Sequence, residues 1–435
     1  TLAAGIDLDM EGGVYESRLA DLVRSGRVEM AALDAAVARV LRVKLRMGLF
    51  DKVGTPPPSA PLEAEVRSVA RAVAQRSLVL LKNDGDVLPI ASGVRRVALI
   101  GASALGDYDL SWWGPARLTR PATETLKAAL ERVLRPGPTL TYAPAFSDAC
   151  GRAFADKQAA IDTAAAADLV VLAVAEDCET WGEGASRTQL GLSGVQQEML
   201  AALAATGRPV VLLVDTGRPL VLGEAARHAA AILVSWQGGT EGRTAIAETL
   251  VGDAAPSAKL PMGFPRAVGQ LPMSYDELPT SRPPGRDRFT SRYLDEEAGP
   301  LFPFGHGLSY TRFAFSDLRA TPEAAASGGR VTVTVRVANV GARSGEEVVQ
   351  VYVRQLVASR SRPVRQLKAF AKVRLTPGEA RDVSFEIAAR DLGFHDDEGR
   401  RHVEPGPYQL WAGGSAAASL SARFALTGAA QVEPR

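Results

Sequence analysis

The sequence predicts an α/β domain followed by an all-β sandwich, with the tail of a further domain ahead of both. Three observations carry this. Between Leu78 and Leu250 continuous Val/Leu/Ile runs alternate with helical patterns, which suits a mostly parallel sheet covered by helices on both faces. Beyond about Phe313 the pattern changes to short β-branched strands punctuated by Gly and Pro turns, as in a small β-sandwich of immunoglobulin or fibronectin type. Ahead of both, Thr1–Met10 turns at Gly5 into an apolar and acidic alternation, like the end of a βα unit with no preceding strand.

The elements follow in order. From Val28 to Gly48 the residues Leu33, Val37, Val40, Leu41 and Met47 recur at helical spacing. Lys and Arg crowd the last turns, and Gly48 is placed to cap the end. A helix of this length needs tertiary packing to be stable, so its apolar face is expected to be covered by another domain or chain. Thr55-Pro56-Pro57-Pro58-Ser59 is a stiff connector, and the helix after it carries an apolar stripe of Leu62, Val66, Val69 and Val73. The α/β domain should then contain strands at Leu78–Lys82, Val97–Gly101, Leu169–Val174, Val210–Asp215 and Ala231–Trp236. Its helices should lie near Lys157–Ala166, Val195–Ala205 and Thr244–Leu250. Ser193 and Gln196 have the spacing of a capping box. A Pro/Gly/Arg-rich stretch from Leu271 to about Phe313 connects to the sandwich. There strands are expected at Val331–Val337, Glu347–Tyr352, Arg381–Ile387 and Tyr408–Ala412, with turns at Gly341, Pro377-Gly378 and Pro405-Gly406. The expected organisation is therefore a leading domain end (1–55), a linker and helix (56–75), the α/β domain (76–270), a connecting region (271–315) and the sandwich (316–428).

Composition excludes several function classes. The 435 residues, 46% hydrophobic, are ample for two to three cored domains. Fifty basic and forty-nine acidic residues leave a formal charge of +1 with no block of either sign, which argues against nucleic acid and anionic membrane as partners. No apolar run approaches the ~18 residues of a membrane span. The two cysteines, Cys150 and Cys178, are too few for a disulfide framework and have no metal-ligand spacing, so both read as small buried hydrophobes. His228, His306, His395 and His402 are scattered and likewise suggest no metal site. The chain starts at Thr1 within a motif, so an export signal is neither indicated nor excluded.

Sites in open α/β sheets lie at the carboxyl ends of the strands, which directs attention to the loop after Leu169–Val174. Ala175–Thr188 holds the carboxylates Glu176, Asp177, Glu179 and Glu183, together with Trp181, Gly182, Gly184 and Arg187. One reading is a solvated acidic loop. The other is an arm carrying a general acid beside an aromatic platform for a sugar ring, with Arg187 orienting the rest and Glu176 and Asp177 holding the loop. Trp112 and Trp113, in Ser-Trp-Trp-Gly, can stack on a sugar or pack in a core, and the same holds for Trp181; Trp236 ends a buried strand and reads as core.

The loop resembles the acid/base loop of family-3 glycoside hydrolases, in which a Glu is followed four positions later by an Arg. Seven further segments look like family segments in family order: Ala4–Met10, Leu78–Asn83, Gly217–Leu220, Gly239–Gly242, Lys259–Met262, Phe302–Tyr310 and Arg362–Lys368. The resemblance is strongest to the bacterial periplasmic β-glucosidase branch. It implies the tail of a (β/α)8 barrel before the α/β sandwich and a fibronectin type III-like domain after it. It also implies Glu183 as general acid/base, Trp181, Arg187, Trp112 and Trp113 as candidate substrate contacts, and no metal or organic cofactor. The family's nucleophile is an Asp upstream of Thr1, so Asp7 and Asp9 take structural roles. The implied substrate is an oligosaccharide or an aryl or alkyl glycoside. A second polypeptide bearing the barrel is an expected partner, with a homodimer also open, and a periplasmic or secreted location is favoured, with a cytoplasmic one also open. β-Xylosidase or arabinosidase is the alternative inside the family, and a non-catalytic carbohydrate-binding or scaffold fragment the alternative outside it. His306, where the family more often has Tyr, should affect local packing only.

Overall fold

The computed structural model describes residues 2–51, 62–106, 123–176, 184–280, 282, 285 and 287–433, and the structural statements below concern these residues. They form two units, Thr1–Glu63 and Ala64–Arg435.

The first unit contains helices α1 (Ala20–Arg24) and α2 (Met30–Arg46). Gly48 adopts a positive φ of 68° just past α2, and the amides of Gly48 and Leu49 turn back to the carbonyls of Leu45 and Lys44; only a residue without Cβ adopts that conformation cheaply. Of α2's side chains Ala36 alone is buried, whereas Val37, Leu41, Val43 and Leu45 are exposed. Asp7 is held by Arg39 through two 2.7 Å bonds, and its carboxyl lies below the usual carboxylate range because of that guanidinium. Asp9 accepts the backbone amides of Gly12, Val14 and Tyr15. Both carboxylates are thus engaged in local structure.

Helix α3 (Leu62–Ser77) starts two residues before the second unit and otherwise belongs to it. Its Val stripe faces outward: Val66, Val69 and Val73 are 55, 64 and 62% exposed. Inward the helix buries Ala74 in the core, and beside it Arg67 meets Glu241 at 2.8 Å and Arg71 and Gln75 meet Glu248.

The α/β sheet is built from β1 (Val79–Asn83), β2 (Arg96–Ile100), β3 (Thr139–Ala143), β4 (Leu169–Ala175), β5 (Val210–Asp215) and β6 (Ala231–Val234), in the order β1-β6-β5-β4-β2-β3. All neighbours are parallel except β1, which pairs antiparallel with β6. Helices α4 (Leu126–Val133), α5 (Lys157–Ala165), α6 (Gln196–Ala204), α7 (Gly223–His228) and α8 (Gly242–Val251) cover it. The period of two along each strand divides the core. Val170, Leu172 and Val174 pack with α5, α6 and α7, while Leu169, Val171 and Ala173 pack with α3, α4 and α8. α4, α7 and β3 were not anticipated; β3 is a five-residue edge strand of alternating exposure and α7 has six residues, too short for either period to register. The capping box is not formed. Val195 is the N-cap of α6 and no side chain caps it, and the Gln196 side chain instead donates through Nε2 to the carbonyls of Cys150 and Ala175, both at 2.7 Å.

The sandwich comprises β7 (Phe313–Thr321), β8 (Ala324–Ala326), β9 (Arg330–Asn339), β10 (Gly345–Gln355), β11 (Gln366–Leu375), β12 (Ala380–Ala388), β13 (Phe394–His395), β14 (Arg401–Val403), β15 (Gly406–Gly413), β16 (Leu420–Thr427) and β17 (Gln431–Glu433). Its sheets are ordered β11-β10-β15-β16-β8 and β12-β9-β7, with a small β13-β14-β17 sheet beside them. Val331, Val333, Val335 and Val337 of β9 meet Val349, Val351 and Val353 of β10 in the core.

The connecting region lies across both domains. Leu308 bridges to Leu80 on the free edge of β1, protecting a sheet edge that would otherwise pair indiscriminately. A Cβ on Gly307 would fall 2.1 Å from the Ala258 carbonyl oxygen, so the close approach there excludes any larger residue. Lys259 bridges to Glu347 of β10 at 2.7 Å, and burial pushes the Glu347 carboxyl up against the opposing pull of that ammonium. His306 bonds the Leu81 carbonyl through Nε2 at 2.9 Å and stacks on Phe302. Burial holds the His306 imidazole below its ordinary value of 6.5. Below that pH the unfolded chain takes up a proton that the folded chain refuses, so stability is present above it and declines as the pH falls through this window. Unfolding free energies measured across pH should show this slope, and His306→Phe should flatten it; an unchanged slope in the variant would refute the assignment.

Candidate functional site at the carboxyl ends of the sheet

The carboxyl ends of β4, β5 and β6 deliver Glu176, Asp215 and Trp236 to one place, as parallel strand polarity requires. The Glu176 amide donates to the Asp215 carbonyl at 3.1 Å, which puts the two acidic residues on adjacent strand ends.

Glu176 is 6% exposed and meets four donors. Its Oε1 receives Arg187 Nη1 and Arg218 Nε, each at 3.0 Å. Its Oε2 receives Thr216 Oγ1 at 2.7 Å and the Gly217 amide at 2.9 Å. A carboxylate whose four acceptor positions are all taken by protein donors is spent as a nucleophile. Arg187, whose side chain is 11% exposed, also donates to the Gly191 carbonyl at 3.3 Å. The two ends of the 177–186 segment are therefore fixed at one cluster: Glu176 at its start and Arg187 at its return. Behind this cluster Arg243 Nη1 meets Asp215 Oδ2 at 2.7 Å with both side chains buried, and Ser235 Oγ donates to Asp215 Oδ1.

Trp236 stands at the end of β6 with φ of 52°, a conformation rare for a bulky residue and found where a site dictates the backbone. Its ring is partly buried and meets Phe264 edge-on at 6.2 Å, in keeping with the core position expected from sequence. On the other side of β4, Gly101 ends β2 with φ of 121°, and a Cβ there would fall 2.2 Å from the Ala173 carbonyl oxygen.

Of the residues singled out from sequence, Arg187 is placed on Glu176. Glu183, Trp181, Trp112 and Trp113 lie outside the described residues, as does Asp177. Arg218, Asp215 and Arg243 were missed, although Arg218 stands in the Gly-Arg-Pro-Leu segment and Asp215 ends a strand; their partners are 28 to 42 positions away and no spacing reveals them. The reading of both cysteines as plain buried hydrophobes is corrected at Cys150, which is 2% exposed but disulfide-bonded. The chain's other cysteine, Cys178, is outside the described residues, and a lone pair of cysteines 28 apart carries no pattern. Among the described residues no group of three His, Cys, Asp or Glu is arranged to hold a metal ion, and no helix is long and apolar enough to cross a membrane.

Residues 78–310 match the model of the glycosyl hydrolase family 3 C-terminal domain, and residues 347–416 match the fibronectin type III-like domain. Among curated proteins the chain is similar to the periplasmic beta-glucosidase of Salmonella typhimurium, at 38% identity over 98% of this chain and 59% of the relative. It is also similar to a beta-xylosidase of Formosa agariphila, at 34% identity over 98% of this chain and 60% of that protein. Among solved structures, the beta-glucosidase from Listeria innocua in complex with glucose superposes with a TM-score of 0.87 at 32% identity, covering 98% of this chain and 59% of the other. The chain thus spans about three fifths of the length of these relatives.

Proposed function

Because the chain belongs to glycosyl hydrolase family 3, with that family's C-terminal α/β domain and a fibronectin type III-like domain, we propose that it supplies the acid/base of a retaining, exo-acting β-glucosidase. The observation carrying this is the anchoring of both ends of the Glu183-bearing segment on one buried ion-pair cluster, Glu176 with Arg187 and Arg218. A general acid must be returned to the same place at each turnover, and two pinned ends shorten the range a loop can explore. In this reading Glu183 protonates the departing glycosidic oxygen and then deprotonates the attacking water, opposite a nucleophilic carboxylate about 5–5.5 Å away. Glu176 and Asp215 are committed to arginines, and Asp7 and Asp9 to Arg39 and backbone amides; the nucleophile is assigned to a barrel Asp upstream of Thr1. Trp181, Trp112 and Trp113 remain candidate contacts for the leaving-group sugar. Arg187 acts through the loop's anchor.

The same reading explains two outward apolar faces. Val37, Leu41 and Leu45 of α2 and, separately, Val66, Val69 and Val73 of α3 are exposed at a third of their surface or more, and stripes of this kind normally meet a partner surface. The part of the relatives' length that this chain does not span, which the family resemblance implies is a barrel, is the proposed cover, either on the same polypeptide or as a second one.

The complete protein should hydrolyse aryl β-glucosides, and Thr1–Arg435 alone should not. A β-xylosidase is the second reading, favoured by the Formosa relative; comparing kcat/KM on p-nitrophenyl β-glucoside and β-xyloside decides between them. Robust turnover by the isolated chain, abolished on replacing a carboxylate other than Glu183, would overturn the assignment of roles.

A further inference from the structure

The outer face of the five-stranded sandwich sheet should be a solvent face, yet the connecting region covers it and leaves a cavity of about 750 Å³. Along β10, Val349, Val351 and Val353 point into the core, so Gln350, Tyr352 and Arg354 take the opposite face. Tyr352 is fully buried there by the rings of Tyr275 and Phe304, which stack on each other at 4.1 Å and meet Tyr352 edge-on at 6.0 and 6.5 Å. The cavity opens beside these rings. Its volume falls within the range of about 300–1,000 Å³ typical of small-molecule sites.

The charge in this cavity is unbalanced. Among the described residues, Arg292, Arg354 and Arg365 line it against one carboxylate, Glu277. Arg365 is partly committed: it donates to the carbonyls of Ala416 and Ala418 and lies 4.5 Å above the Trp411 ring. Arg354 is not. Its Nε is buried with no hydrogen-bond partner, and its guanidinium enters no ion pair among the described residues. That buried Nε–H gives up hydration without compensation, which folding alone does not favour. A planar fork of this kind is matched by the two oxygens of a carboxylate.

We propose that this cavity binds an acidic saccharide, a short oligosaccharide carrying a uronate whose carboxylate is received by Arg354. The size of the cavity exceeds what a free anion fills. Flat apolar surfaces of Tyr275, Phe304, Pro300 and Pro303 suit the C–H faces of pyranose rings, and Glu277 with Ser274 offers acceptors and donors for ring hydroxyls. The site is independent of the glycosidase assignment, since it uses no residue of the Glu176 cluster.

The test is calorimetric titration of Thr1–Arg435 with the α-linked dimer of galacturonate, whose α-linkage keeps it out of a β-glucosidase centre, and with the neutral α-linked dimer of galactose. Saturable binding of the acidic dimer only is expected, weakened at least about tenfold by Arg354→Gln and less by Arg354→Lys. Because no hydrogen bond joins the Arg354 side chain to another of the described residues, Arg354→Gln should unfold at about the same temperature as the parent. Should it fail to fold, the lysine variant is read alone, and unchanged affinity there overturns the proposal. It is equally overturned by the absence of saturable binding, by equal binding of the neutral dimer, by indifference to Arg354→Gln, or by tighter binding of an aromatic acid such as ferulate.

Discussion

Replacing Glu183 by alanine in the complete enzyme is expected to lower turnover by about 10²–10⁴-fold, the usual contribution of one general acid. The loss should depend on the leaving group. Alkyl glucosides leave as strongly basic alkoxides and need the proton, whereas nitrophenolate departs with little help, so the variant should lose far more on the former. Azide, a nucleophile that needs no general base, should partly rescue hydrolysis of the nitrophenyl substrate by intercepting the glycosyl-enzyme and yielding glycosyl azide. A variant that cleaves both substrates as well as the parent does would remove Glu183 from the mechanism and with it the main chemical role assigned to this chain.

The second large effect is on stability. Glu176→Ala leaves the guanidiniums of Arg187 and Arg218, with side-chain exposures of 11 and 25%, facing a cavity where their counter-charge stood. Removing one partner of a buried pair typically costs about 3–5 kcal/mol, more than the intact pair contributes, because the remaining charge keeps its desolvation penalty. Glu176→Gln retains an oxygen for Thr216 and Gly217 and should cost roughly 1–3 kcal/mol. Denaturant unfolding of the parent and both variants measures this. The Glu176→Ala enzyme should also lose kcat at saturating substrate, since the loop's starting point is no longer pinned. A loss under about 1 kcal/mol, or equal losses for the two variants, would mean that the cluster is solvated and does not anchor the loop.

Much of this was legible beforehand because the signals were local. The continuous apolar strands at Leu169, Val210 and Ala231, the Gly48 helix stop and the β-branched run at Val331–Val337 each reflect a period or a backbone preference read within a dozen residues. Family resemblance then added the role proposed for Glu183 and its companion Arg187, which spacing alone left open. The short elements β3 and α7 escaped because fewer than two turns or repeats carry no period.

What the chain by itself determined was its sequence of domains and the identity of the strands that form the two cores. The tertiary structure decided which charges meet. Arg187 and Arg218 reach Glu176 from 11 and 42 positions away, Arg243 reaches Asp215 across 28, and α3 turns its valines outward because Arg67, Arg71 and Gln75 find Glu241 and Glu248 on the domain surface. Such pairs depend on where the backbone brings two distant side chains, and on how little water is left between them; neither quantity is encoded in the spacing of residues along the chain. The cavity around Arg354 has the same origin, since it exists only where the connecting region crosses the outer face of the sandwich.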